Sequence, residues 1–98
     1  MKRIAVLVSG GGTNLQALID AEKRGIIKSG KIVSVVSDKA DAYALKRAEN
    51  NGIETKVILK KDYSGREAFS KALSDYMTEK KIDLVILAGF LSILSGEF

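Results

Sequence analysis

An open parallel α/β sheet is the fold class this sequence predicts, and three observations predict it. Apolar runs occur without polar alternation, stretches of helical period lie between them, and glycine or Asn-Gly marks most of the junctions. Strands covered on both faces read as continuous apolar runs, whereas a half-solvated antiparallel strand alternates. Ile4-Ala5-Val6-Leu7-Val8 is one such run and Leu84-Val85-Ile86-Leu87 is another.

The elements follow in order. After the first strand, Leu15, Leu18 and Ile19, with Ile26 beyond them, mark the inner stripe of a helix over 14–24, and Gly25 stops it. Gly30 precedes a second strand over 31–37, carried by Ile32-Val33 and Val35-Val36. Ala44, Leu45 and Ala48 at helical spacing predict a helix over 41–50, ended by Asn51-Gly52. A third strand is expected over 53–59. Ser64 and Glu67 fit a capping box. Phe69, Ala72, Leu73, Tyr76 and Met77 then recur at three and four residues, as a buried helix stripe does. The last strand, 82–88, has the composition of an interior one. The pattern β-α-β-α-β-α-β predicts a Rossmann-like parallel layer with helices on both faces, its four strands in the usual order 3-2-1-4; that the sheet is truncated after strand four is implied only by the resemblance given below.

Composition narrows the function classes. The chain has 98 residues, 46% of them hydrophobic and 29% charged, which suits one globular unit spanning 1–98. No apolar run approaches the roughly 20 residues that cross a bilayer, so no membrane partner is expected. The chain contains no cysteine, which excludes disulfides and thiolate metal sites and makes a cytoplasmic location the expectation. It also contains no histidine, the side chain whose ordinary pKa best suits proton transfer near neutrality. The net charge of +4 is dispersed, and stacking aromatics do not accompany it, so nucleic acid is not an expected partner.

The richest segment is Ser9-Gly10-Gly11-Gly12-Thr13-Asn14, a strand end, three glycines and a helix start. Glycines let main-chain N–H groups approach a ligand closely, and the first N–H groups of a helix lack partners within it. With the helix dipole they form an anion site. The competing reading is a tight turn closed by a Thr13/Gln16 capping box. No Gly-Lys-Ser/Thr follows, so this is not a P-loop, and Leu15 stands where a dinucleotide fingerprint has its third glycine. Asp38, just after the second strand, fits a ribose hydroxyl and keeps a nucleotide- or dinucleotide-binding module open as the alternative. In the 3-2-1-4 order the turn faces the segment after strand four, Gly89-Phe90-Leu91-Ser92-Ile93-Leu94, either core or the wall of an apolar pocket, with Phe90 read as core rather than as a stacking partner. Arg66, in the first turn of the third helix, sits at the positive end of the dipole; position alone favours a solvated surface arginine, and a ligand carboxylate that relieves the charge is the other reading.

Four segments together resemble the phosphoribosylglycinamide formyltransferases. They are Ser9-Gly10-Gly11-Gly12-Thr13-Asn14-Leu15-Gln16-Ala17-Leu18-Ile19, Ser37-Asp38-Lys39-Ala40-Asp41-Ala42, Arg66-Glu67-Ala68-Phe69 and Leu87-Ala88-Gly89-Phe90-Leu91-Ser92-Ile93-Leu94-Ser95. The resemblance implies formyl transfer from 10-formyltetrahydrofolate to the amino group of glycinamide ribonucleotide. It assigns Gly12, Thr13 and Asn14 to the ribonucleotide phosphate. It assigns Arg66 to the folate, at its glutamate carboxylate, and Leu91, Ser92, Ile93 and Leu94 to the pterin pocket. Where the family often carries a basic residue after Phe-Met, this chain has Leu91-Ser92.

The resemblance also places the family's catalytic Asn, His and Asp beyond this chain. The expectation is therefore an amino-terminal half that binds and does not catalyse. Its fourth strand would keep an edge open to self-association.

Overall fold

The computed structural model describes residues 2–25 and 30–90. Strands β1 (Lys2–Val8), β2 (Gly30–Ser37), β3 (Glu54–Val57) and β4 (Leu84–Leu87) alternate with helices α1 (Thr13–Lys23), α2 (Tyr43–Asn50) and α3 (Arg66–Glu79). They form one parallel sheet in the order β3-β2-β1-β4, as the alternation of elements predicts. Ile4, Val6 and Val8 of β1 pack with Leu15 and Ile19 of α1 and with Ala44, Leu45 and Ala48 of α2. Ala5 and Leu7 point the other way, into Phe69, Leu73, Tyr76 and Met77 of α3. Period-two geometry thus sends alternate residues of one apolar run to two different cores.

β2 departs from strict alternation. Ile4 pairs with Ile32 but Ala5 pairs with Ser34, so Val33 is an extra residue in the ladder. This bulge puts Ile32 and Val35 on the α1–α2 face and turns Ser34 toward α3. There Ser34 is buried, and its Oγ lies 2.7 Å from the Tyr76 hydroxyl.

Several expected boundaries shift, each for a local reason. β3 is four residues long, not seven: it lies at the sheet edge and ends ahead of a 3₁₀ turn at Lys60–Asp62. Its outward Lys56 and Glu54 suit an edge. α2 begins at Tyr43, because Ala42 is still extended with ψ 125°. β4 keeps only its central residues, and it pairs with β1 alone among the described residues, so its interior composition meets an edge position. Ile26 lies outside the described residues. No helix among the described residues is long and apolar enough to cross a membrane.

Candidate functional site

The parallel strands bring their carboxyl ends to one edge. There the turn after β1 leaves beside the turn after β4, because Leu7 pairs with Leu87 and the Ala88 N–H donates to the Leu7 carbonyl at 2.9 Å. The loop after β2 starts at the same edge, with the Asp38 N–H directed at the Val8 carbonyl. This is where open α/β sheets place ligands, at the point where the strand order reverses.

The glycine turn does not form the capping box of the competing reading. The cap of α1 is Gly12, in the left-handed region at φ 81°, and no side chain caps the helix. Thr13 is already the first helical residue. Gln16 turns elsewhere, its side-chain amide donating to Asp20 Oδ1 at 3.0 Å and its carbonyl accepting from Arg47 at 3.3 Å. The first intrahelical bond runs from Gln16 N–H to the Gly12 carbonyl, so the amides of Thr13, Asn14 and Leu15 precede it at the positive helix end. A Cβ on Gly10 or Gly11 would meet nothing within 4 Å, whereas one on Gly12 would lie 2.7 Å from Ala44 Cβ. The outer two glycines leave space for an approaching ligand, and the third lets α2 pack closely. Thr13 and Asn14 are both exposed on the open side.

Arg66 opens α3 and is exposed. Here too the cap is a glycine, Gly65, and the Ser64–Glu67 capping box does not form, since Ser64 lies one residue too early. Lys60, Ser64, Gly65, Arg66, Glu67 and Ala68 line an open groove of about 710 Å³. Lys60 and Arg66 place two cations along it. Behind the groove, Tyr63 and Phe90 flank the buried Phe69 ring, with centroids 6.2 and 6.4 Å away, and Phe90 lies parallel to it. Phe90 is therefore packed on the α3 core rather than held out for a ligand. Gly12, Thr13 and Asn14 do not line this groove, so the glycine turn and Arg66 lie apart from one another. Leu91, Ser92, Ile93 and Leu94 lie outside the described residues.

Two further features bear on chemistry. Asp38, half-buried, lines a smaller groove of about 440 Å³ with Lys39, Asp41, Lys60 and Lys61. On the α3 face, the Tyr76 hydroxyl donates to Glu54 at 3.3 Å, and Lys80 pairs with Glu54 at 3.2 Å. Burial raises the Tyr76 pKa, the Lys80 hydrogen bond lowers that of Glu54, and Glu54 raises that of Lys80. This cluster sits on β3 and α3, across the sheet from the α2 side on which the glycine turn packs. Among the described residues, a side chain at the glycine turn that the sequence does not single out is Arg47 of α2, whose Nε donates to the Gly11 carbonyl at 2.7 Å. The only trace of it in the sequence is Ala44 and Ala48, small residues that allow α2 a close approach.

Residues 2–98 match the family described as formyl transferase. The chain is 47% identical over its full length to phosphoribosylglycinamide formyltransferase of Haemophilus influenzae, covering 46% of that protein. To the Escherichia coli protein of the same name it is 45% identical over 97% of this chain and 44% of that one. The crystal structure of glycinamide ribonucleotide transformylase 1 from Symbiobacterium toebii superposes with a TM-score of 0.92 at 43% identity, over 98% of this chain and 45% of that one. The chain thus spans about half the length of the curated phosphoribosylglycinamide formyltransferases it matches.

Proposed function

This chain belongs to the formyl transferase family, and from that membership we propose that it forms the substrate-gripping part of a phosphoribosylglycinamide formyltransferase. The whole protein would move a formyl group from 10-formyltetrahydrofolate to the amine of glycinamide ribonucleotide in de novo purine biosynthesis, in the cytoplasm. The observation that carries the reading is the uncapped amino end of α1, where Gly12 leaves the helix amides to an anion. Gly12, Thr13 and Asn14 hold the ribonucleotide phosphate there. Arg66, with Lys60 beside it, holds a carboxylate of the folate in the neighbouring groove. Leu91, Ser92, Ile93 and Leu94 supply the pterin wall.

Formyl transfer forms a bond from the substrate amine to the formyl carbon and breaks the bond from that carbon to the folate nitrogen. A proton leaves the amine and another reaches the folate, and the oxygen carries charge in between. The residues of this chain bind and orient for that reaction. Histidine is absent, and among the described residues the groups with displaced pKa values lie on the β3–α3 side, away from the glycine turn.

The test is a titration of the purified chain, followed by amide NMR, with glycinamide ribonucleotide, inorganic phosphate and NAD in separate series, together with a formyl-transfer assay. The expected outcome is saturable movement of the Gly12, Thr13 and Asn14 signals with the ribonucleotide and with phosphate, none with NAD, and no turnover. Tight NAD binding centred on Asp38 would replace this reading with the nucleotide-module alternative. Measurable turnover would refute the division between gripping and catalysis.

A further inference from the structure

Arg47 ties the second helix to the glycine turn, and we infer that it is the positioning residue of the anion site, fixing the Gly11–Gly12 peptide so that the Gly12 N–H faces the ligand. The inference rests on the reading of the turn as a phosphate grip.

In a trans peptide the carbonyl of one residue and the N–H of the next point in opposite directions, and the described residues contain no cis peptide. Whatever holds a carbonyl therefore aims the following amide. Three consecutive carbonyls are held in this turn. Gly10 O accepts the Ala44 N–H at 3.2 Å, Gly11 O accepts Arg47 Nε at 2.7 Å, and Gly12 O accepts the Gln16 N–H at 2.8 Å. The first two bonds draw carbonyls toward α2, so the Gly11 and Gly12 amides turn away from α2. The third runs along α1, so the Thr13 amide points out of the helix end. Three amides in a row form a concave donor set for an anion.

Two of those three bonds are main chain to main chain and survive most substitutions. The middle one depends on a single side chain. Arginine suits it because the guanidinium is a rigid fork, with Nε on Gly11 O and Nη1 reaching Gln16 Oε1 at 3.3 Å. The Tyr43 ring lies beneath it, 5.0 Å from Cζ to the ring centroid. Gly12 completes the fit, because a Cβ there would come within 3.2 Å of Arg47 Cδ. Through these two bonds Arg47 acts on the turn itself.

The experiment compares the parent chain with Arg47→Met, which keeps the stem and loses the donors, and Arg47→Lys, which keeps the charge and loses the fork. Each is titrated with inorganic phosphate and with glycinamide ribonucleotide, and backbone ¹⁵N relaxation is recorded without ligand. The expected result is about three- to tenfold weaker binding in both variants, as follows if the loosened turn holds its binding form only about a tenth to a third of the time. Without ligand, extra motion should appear at the Gly11 and Gly12 amides while β1 and α3 signals stay in place. Native affinity in Arg47→Lys would assign the effect to charge alone and overturn the inference, as would unchanged Gly11 and Gly12 relaxation in Arg47→Met. A parent chain that binds no phosphate sinks the phosphate reading instead, and the ligand-free relaxation still decides whether Arg47 orders the turn.

Discussion

At the scale of single residues, the three adjacent glycines have different jobs. Gly12 adopts a positive φ and faces Ala44 at a distance no side chain tolerates. Gly12→Ala therefore combines left-handed strain, about 1–2 kcal/mol, with overpacking of about 1–3 kcal/mol. A fall of several degrees in the thermal midpoint is the expected reading, together with loss of phosphate binding. Gly11→Ala meets open space and is expected to change stability by less than about 0.5 kcal/mol. It puts a methyl where the ligand approaches, so it should weaken phosphate binding at nearly native stability. Equal thermal midpoints for the two variants would contradict this division. The sequence shows the triplet as a turn, but the work of each glycine depends on α2, more than thirty residues away.

At the scale of elements, the bulge in β2 governs how α3 is held. By inserting Val33 it turns Ser34 toward Tyr76, whose hydroxyl also reaches Glu54 on β3. One buried hydroxyl pair thus ties helix to sheet. Tyr76→Phe leaves the Ser34 hydroxyl without that partner, at a cost of about 1–3 kcal/mol near neutral pH. The pH dependence follows from the raised Tyr76 pKa, whose chief cause is burial. The unfolded tyrosine releases its proton near its ordinary value of 10.0, before the folded one does, so stability falls as pH rises past that point. Chemical denaturation between pH 8 and 11 should show this alkaline loss in the parent and a shallower one in Tyr76→Phe. Identical slopes would remove Tyr76 as the cause. Glu54 works in the opposite direction: its lowered pKa adds stability above the ordinary carboxylate range, lost as pH falls through the folded value.

At the scale of the whole molecule, the sheet is covered unevenly. β1 is buried on both faces, whereas Leu84 and Leu87 of β4 are 47% and 56% exposed on a strand paired on one side among the described residues. Large apolar side chains beside an open strand edge favour association. Light scattering of the 98-residue chain should show an apparent mass rising with concentration, and Leu84→Lys with Leu87→Lys should suppress the rise. A concentration-independent monomer would show that the edge is not an association surface.

What the sequence by itself determined is the kind and order of the elements, the parallel 3-2-1-4 sheet, the glycine turn at its carboxyl edge and Arg66 at the start of α3. Each of these is written locally, in the period of apolar residues and in glycines at strand ends, so it can be read without knowing what packs where. The tertiary structure alone decided the rest. Both candidate capping boxes gave way to glycine caps, Ser34 was turned inward by a bulge, and Arg47 took hold of Gly11. The physical reason is common to all of them. Each outcome is set by the spacing of whole elements against one another, and bonds between residues as far apart as Gly11 and Arg47 exist only once the sheet has brought their helices to one edge.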